Sequence, residues 1–226
     1  LSEDFSRTFY PFLHAEETTG AGLFDELRNS LNEKARDSAD IKQRFFADNQ
    51  ETIVQAALAL ARAFHRGHKL IVCGNGGSAT DAAHIAVEFL HPVTVGRKAL
   101  PAIALTNDIA SVTAVANDVG FAAVFTRQLL ALGQAGDALL GLSTSGNSEN
   151  LLQVFAMARR MKLVTIGFAG GDGGRMAMSD TIDYCLTVPT LSIHRVQETH
   201  VTLYHILWDL VHELLQHHAL LEKKML

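Results

Sequence analysis

His84 and Glu88 stand four residues apart, a spacing that puts both side chains on one face of a helix, and Asp81 lies one turn earlier. An imidazole and a carboxylate sharing a face can ligate a metal ion or supply a general base. The same pair on its own also describes an ordinary surface pairing. A second set, Gln197, His200, His205 and His212, falls in an otherwise apolar segment near the end of the chain. Gln197 and His205 are eight apart, which on a helix means about 12 Å along the axis and about 80° around it. They meet one ion only if both side chains reach toward each other; otherwise they serve different sites, or a site formed between subunits. Histidines on an apolar helix are also common packing residues, so spacing alone does not choose.

Two loops carry a different chemistry. Gly74-Asn75-Gly76-Gly77-Ser78 leaves a short apolar run and leads straight into a helical pattern. Glycines allow close approach of a ligand to the backbone, and the helix start offers free N–H groups and a positive dipole end. Ser143-Thr144-Ser145-Gly146-Asn147-Ser148 follows another apolar run, and its four hydroxyls can surround a phosphate with neutral donors. Either loop alone is also readable as a strand-to-helix turn with a good N-cap. Neither fits the P-loop pattern, and the first lacks the third glycine of the dinucleotide fingerprint. Together they point to a small phosphorylated ligand rather than a nucleotide.

The elements that must position these groups follow from the pattern of apolarity. Largely continuous apolar runs begin at Lys69, Ala102, Ala138, Leu163 and Tyr184, and each is five or six residues long. Unbroken rather than alternating apolarity marks strands buried on both faces, as in a parallel sheet. Helical segments separate them at about 78–90, 109–116, 121–133, 147–161 and 173–178, with a last helix over about 194–218. Strand–helix alternation of this kind predicts a doubly wound α/β sheet with right-handed crossovers and ligands at the carboxyl ends of the strands. Before the sheet, the steps of three and four from Leu23 to His65 read as two helices, the second closed by Arg66-Gly67.

Composition narrows the classes. The 226 residues carry a formal charge of -5, with 48% hydrophobic and 19% charged residues. That is enough apolar material for a core without disulfides or a structural metal, and too much for a disordered chain. No apolar run reaches membrane-spanning length, and the mild acidity argues against a broad nucleic-acid surface. The acidic start lacks the order of a secretory signal, and two cysteines, Cys73 and Cys185, read as free thiols of a reducing cytoplasm. Eleven histidines are a surplus for this length; His65, His68, His217 and His218 match no motif and are expected to face solvent.

Taken together these segments resemble the phosphoheptose isomerases of the sugar isomerase (SIS) superfamily. The resemblance rests on Cys73 to Ser78 with Asp81, His84 and Glu88, on Asn117-Asp118-Val119-Gly120-Phe121, and on the serine loop. It also rests on Asp172-Gly173-Gly174 and Val196-Gln197-Glu198-Thr199-His200, and it runs from about Ile53 to Leu215. It implies a five-stranded parallel, flavodoxin-like sheet, with residues 1–50 as an N-terminal helical extension and 51–220 as the SIS domain. It implies a cytoplasmic homotetramer with active sites between subunits, converting sedoheptulose 7-phosphate to the heptose 7-phosphate used in bacterial heptose synthesis.

Carried over by position, Ser143, Thr144, Ser145 and Ser148 hold the phosphate, and Asn75, Gly76, Gly77 and Ser78 line the sugar. Asn117, Asp118, Glu88 and Gln197 also touch substrate, His84, Glu88, Gln197 and His205 match zinc-binding positions, and Glu88 and His205 match the acid/base pair. Such a zinc shell is unusual, because an amide is a weak ligand, and it implies modest affinity. Two positions depart from the family's pattern: His91-Pro92 stands where an arginine is usual, and His194 where an acidic residue precedes Gln197. The superfamily also holds non-catalytic relatives, phosphosugar-binding regulators and a replication-initiator-binding protein among them. The initiator-binding branch lacks the equivalents of Glu88 and His205, whereas both are present in this chain.

Overall fold

The structure is a computed structural model, and it describes residues 22–222. The chain divides into two compact units, 1–37 and 38–226, and the second holds the sheet and all that follows. Five strands form one wholly parallel sheet: β1 (Leu70–Gly74), β2 (Ala102–Ala104), β3 (Ala138–Ser143), β4 (Val164–Gly170) and β5 (Tyr184–Val188). Their spatial order is β2-β1-β3-β4-β5, so the winding reverses between β1 and β3. That reversal is the topological switch point, where the loops after β1 and β3 diverge and leave a crevice. β1 and β3 are buried along their whole length, as their unbroken apolarity requires.

The helices are α1 (Leu23–His65), α2 (Gly77–Leu90), α3 (Ile109–Asp118), α4 (Val124–Leu132), α5 (Glu149–Arg160), α6 (Gly174–Ala177), α7 (Ile193–Leu214) and α8 (His218–Glu222). A 3₁₀ turn over Phe121–Ala123 introduces α4. The two helices expected before the sheet are a single helix of 43 residues. Its sequence contains neither glycine nor proline, so nothing breaks the backbone where the apolar stripe thins out. It ends as expected: Gly67 takes φ +83°, and the N–H groups of Gly67 and His68 donate to the carbonyls of Phe64 and Ala63. The last helix is shorter than expected, stopping at Leu214 before α8 begins.

Two apolar cores sandwich the sheet. One packs α1, α2 and α7 on one face, around Phe45, Leu60, Phe89, Phe168 and Trp208. The other packs α4 and α5 on the opposite face, around Phe125, Leu139 and Phe155. Cys73 lies in the second core; both cysteines are free, and burial pushes each thiol's pKa up. Among the described residues no helix is long and apolar enough to cross a membrane. His217 and His218 face solvent, whereas His65 and His68 are half-buried, His65 against the His218 ring and His68 beside Asp137.

Candidate functional site

The glycine loop turns β1 into α2 within three residues. Gly74 is closely hemmed in, since a Cβ there would overlap the Ser78 carbonyl. Gly76 adopts φ +56°, a left-handed conformation that favours glycine, and open space surrounds it. Gly77 faces α7, where a Cβ would overlap the Gln197 amide nitrogen. The side chain of Asn75 is committed to the protein. It exchanges two 2.9 Å hydrogen bonds with the amide of buried Asn150, tying the β1 loop to the first turn of α5.

The serine loop is cross-linked by its own hydroxyls. Ser143 Oγ lies 3.0 Å from Ser148 Oγ and 3.4 Å from Ser145 Oγ, and accepts from the Gly146 N–H at 3.1 Å. Ser143 is buried, Thr144 and Ser148 are half-buried, and Ser145 is exposed at the tip. Behind the loop, the Asp172-Gly173-Gly174 turn presses backbone against backbone. A Cβ on Gly146 would overlap the Gly173 carbonyl, one on Gly174 would stand 2.6 Å from the Ser145 carbonyl, and one on Gly170 2.5 Å from that of Thr144. The Met176 and Arg175 N–H groups then donate to Gly146 O and Asn147 Oδ1, both at 3.0 Å. The Gly174 N–H donates to Asp172 Oδ1 at 2.9 Å, so the turn behind the loop is itself braced.

Ionisable residues gather on the facing sides of α2 and α7. One ligand atom from each of His84, Glu88 and His205 falls within 4.8 Å of the others, a separation one ion can bridge. His84 Nε2 lies 3.1 Å from Glu88 Oε1, and His84 Nδ1 lies 3.0 Å from the Tyr204 hydroxyl. Burial, with the carboxylates of Asp81 and Glu88, pushes the Tyr204 pKa up to about 12, so its proton is in place at neutral pH. A phenol can donate or accept, so Tyr204 serves either tautomer of His84. Asp81 Oδ2 is buried without a partner; desolvation raises that carboxyl's pKa, with His84 pulling the other way. Trp208 Nε1 donates to the Glu88 carbonyl at 3.0 Å, so α2 and α7 meet in register, the two contacts one turn apart.

That register decides which expected residues come together. His84, Glu88 and His205 meet; Gln197 stands against Gly77, seven residues or about 10 Å earlier along α2. His200 and His212 are buried packing residues, His200 Nε2 lying 3.1 Å from the Ala169 carbonyl. Asn117 and Asp118 sit at the exposed end of α3, where Asn117 Nδ2 donates to Asp118 Oδ1 at 2.7 Å. Ser78 is buried in the first turn of α2. His91 closes α2 and His194 opens α7, both exposed. Tyr204 and Asn150 had no sequence signal, because each acts through a contact with a residue far away in the chain.

Residues 35–170 match the SIS domain model, a span that holds both loops and α2. A phosphoheptose isomerase from Desulfovibrio desulfuricans is 45% identical over 186 residues, covering 82% of this chain and 88% of that protein. The chain belongs to the phosphoheptose isomerase family. Solved structures agree. A phosphoheptose isomerase from Neisseria gonorrhoeae superposes with a TM-score of 0.76 at 38% identity, covering 82% of this chain and 98% of the other. One from Francisella tularensis gives 0.78 at 37%, covering 82% and 97%. Phosphoheptose isomerases thus match this chain over nearly their whole length, while the SIS model stops short of α7, the helix that brings His205 and Tyr204.

Proposed function

We propose that this chain is a ketose–aldose isomerase acting on a phosphorylated sugar, converting sedoheptulose 7-phosphate to D-glycero-D-manno-heptose 7-phosphate. One observation carries the proposal: in a chain of this family, a base, an imidazole and a second imidazole converge on the helix that leaves the glycine loop. Interconversion of a ketose and an aldose moves a proton from C1 to C2 through an enediol, and a hydroxyl proton from O1 to O2. Glu88 takes the C1 proton and returns it at C2. His205 serves the oxygens, donating to O2 as the enediol forms and recovering the proton from O1. Ser143, Thr144, Ser145 and Ser148 hold the phosphate with hydroxyls, helped by the N–H groups that open α5. Gln197 and the backbone of Gly76 and Gly77 line the sugar, with Asn75, Ser78, Asn117 and Asp118 completing the binding set.

The donor set also fits a divalent metal. His84, Glu88 and His205 offer two nitrogens and an oxygen, the ligand types zinc takes at catalytic sites, and Tyr204 supports His84 from behind. A zinc ion held there would polarise the substrate carbonyl. Gln197, set against Gly77, supplies the fourth ligand where its side chain reaches along the helix and otherwise lines the sugar. We further infer a cytoplasmic homotetramer with sites completed between copies. The cavity at the glycine loop of the single chain is about 150 Å³, below the about 300–1,000 Å³ of small-molecule pockets. Val87, Ile109, Val119, Phe121, Leu191 and Ile193 are all exposed, as an unpaired interface would leave them.

The deciding experiment is an isomerase assay over C5–C7 ketose phosphates, with and without zinc, beside sedimentation of the purified chain. Aldose formed from sedoheptulose 7-phosphate and lost in Glu88→Gln is the expected result. Turnover unaffected by that substitution removes Glu88 from the chemistry, and no turnover on any ketose phosphate overturns the proposal.

A further inference from the structure

The glycine and serine loops lie at the carboxyl ends of the strands, and the opposite end of the sheet holds an open cavity of about 660 Å³. Its walls are the last turns of α1, the turn before β3, the α5–β4 turn and the start of β5. That volume falls within the range of small-molecule sites. Arg62, Arg66, His68 and Lys162 line it, with Asp183 the one carboxylate. Asp183 is already engaged by the Arg159 guanidinium, the Thr165 N–H at 2.9 Å and the Thr165 hydroxyl at 3.0 Å. His68 lies 3.7 Å from Asp137, whose carboxylate also holds Lys69.

Three cations are left over. Arg66 and Lys162 have no carboxylate partner among the described residues. Arg62 Nη2 reaches only the Leu220 carbonyl, at 3.4 Å, and its Nε is buried with no acceptor at all. A buried guanidinium N–H without an acceptor leaves Arg62 under-bonded within the protein, while the same residue lines the cavity.

Lys162 adds an observation of its own. Helices α1 and α5 end in the same motif, in which two consecutive N–H groups donate back to two carbonyls of the last turn. In α1 the left-handed position of that motif is Gly67, at φ +83°. In α5 it is Lys162, at φ +65°, the only described non-glycine residue with positive φ. A lysine is strained in a conformation that glycine takes freely, and its position puts a cationic residue on the cavity wall.

We propose that this cavity binds a phosphate group, free or as a monoester, through Arg62, Arg66 and Lys162. A dianion matches the cations better than a carboxylate does, and guanidinium forks suit its oxygens. The site stands apart from the serine loop by the length of β3, about 20 Å, and does not depend on the activity proposed above.

Calorimetric titration of the full chain with inorganic phosphate and with methyl phosphate tests it, in a Ser143→Ala/Ser145→Ala background that weakens the serine loop. Residual binding that drops at least tenfold when Arg66→Ala and Lys162→Gly are added supports the site. Methyl phosphate binding as well as phosphate marks a site for esters; phosphate alone marks a site for the free anion. Lys162→Gly relieves the backbone, so a melting temperature that holds or rises shows that lost binding is not lost folding. Binding that survives both substitutions, vanishes with the serine-loop variants alone, or is matched by chloride overturns the proposal.

Discussion

The serine loop and the His84–Glu88–His205 cluster solve opposite problems. The loop is neutral, cross-bonded by its own hydroxyls and pressed against a glycine turn, and nothing on it titrates near neutral pH. The cluster is ionisable and half open to solvent, and its side chains meet only because two helices pack in register. Holding a phosphate needs fixed donors that do not change state during the reaction, whereas moving protons needs groups that do. Placing the two on different elements lets affinity and turnover be altered separately.

The largest expected effect tests that separation directly. Glu88→Gln removes the base while keeping its shape, and turnover should fall by at least about a thousandfold, with phosphosugar affinity held within about threefold. Stopped turnover and equilibrium binding on the same preparation check this; a parallel loss of both breaks the comparison. Acid comes next, through His200. Its ring is buried at the end of β4, beneath the serine loop, and burial lowers its pKa to about 4 from 6.5. The folded state therefore resists a proton that the unfolded chain accepts. Stability should be full above about pH 6.5 and fall by about 3 kcal/mol as the pH drops toward 4. Denaturant midpoints across that range read the slope, which His200→Gln should flatten.

Gly146→Ala should cost about 2–3 kcal/mol of stability, because φ is +64° and the new Cβ would overlap the Gly173 carbonyl. The melting temperature measures it, and an unchanged value would show that the glycine turn does not brace the loop. Ser145→Ala removes one hydroxyl and should raise KM about five- to tenfold with kcat nearly unchanged, about 1 kcal/mol of uniform binding. Tyr204→Phe should lower kcat about two- to fivefold while leaving KM in place, since it frees His84 from one hydrogen bond. A KM effect from Tyr204, or a kcat effect from Ser145, would blur the division between the regions.

The sheet was legible because buried parallel strands must be apolar on both faces, and five unbroken runs announce them. The two loops were legible because close backbone approach demands glycine and neutral phosphate binding demands hydroxyls. The continuity of α1 was not, since a charged stretch hides the period while the backbone, free of glycine and proline, runs on. Nor was the division of labour on α7. His200, His205 and His212 are alike in sequence, and only the packing of α7 on α2 and β4 sends one to the cluster and buries the others. The same packing sets Gln197 against Gly77, where spacing alone allowed a shared ion or separate sites.

The backing of the serine loop by glycines has a consequence for how such an enzyme can change. Gly146, Gly170 and Gly174 each touch backbone, so none can acquire a side chain without displacing the loop, and in the proposed function the hydroxyls are the groups that hold the phosphate. The anchor is thus nearly closed to mutation, and any drift toward a different sugar has to be written elsewhere. The exposed ends of α2 and α7, which carry His91 and His194, are the open ground for it.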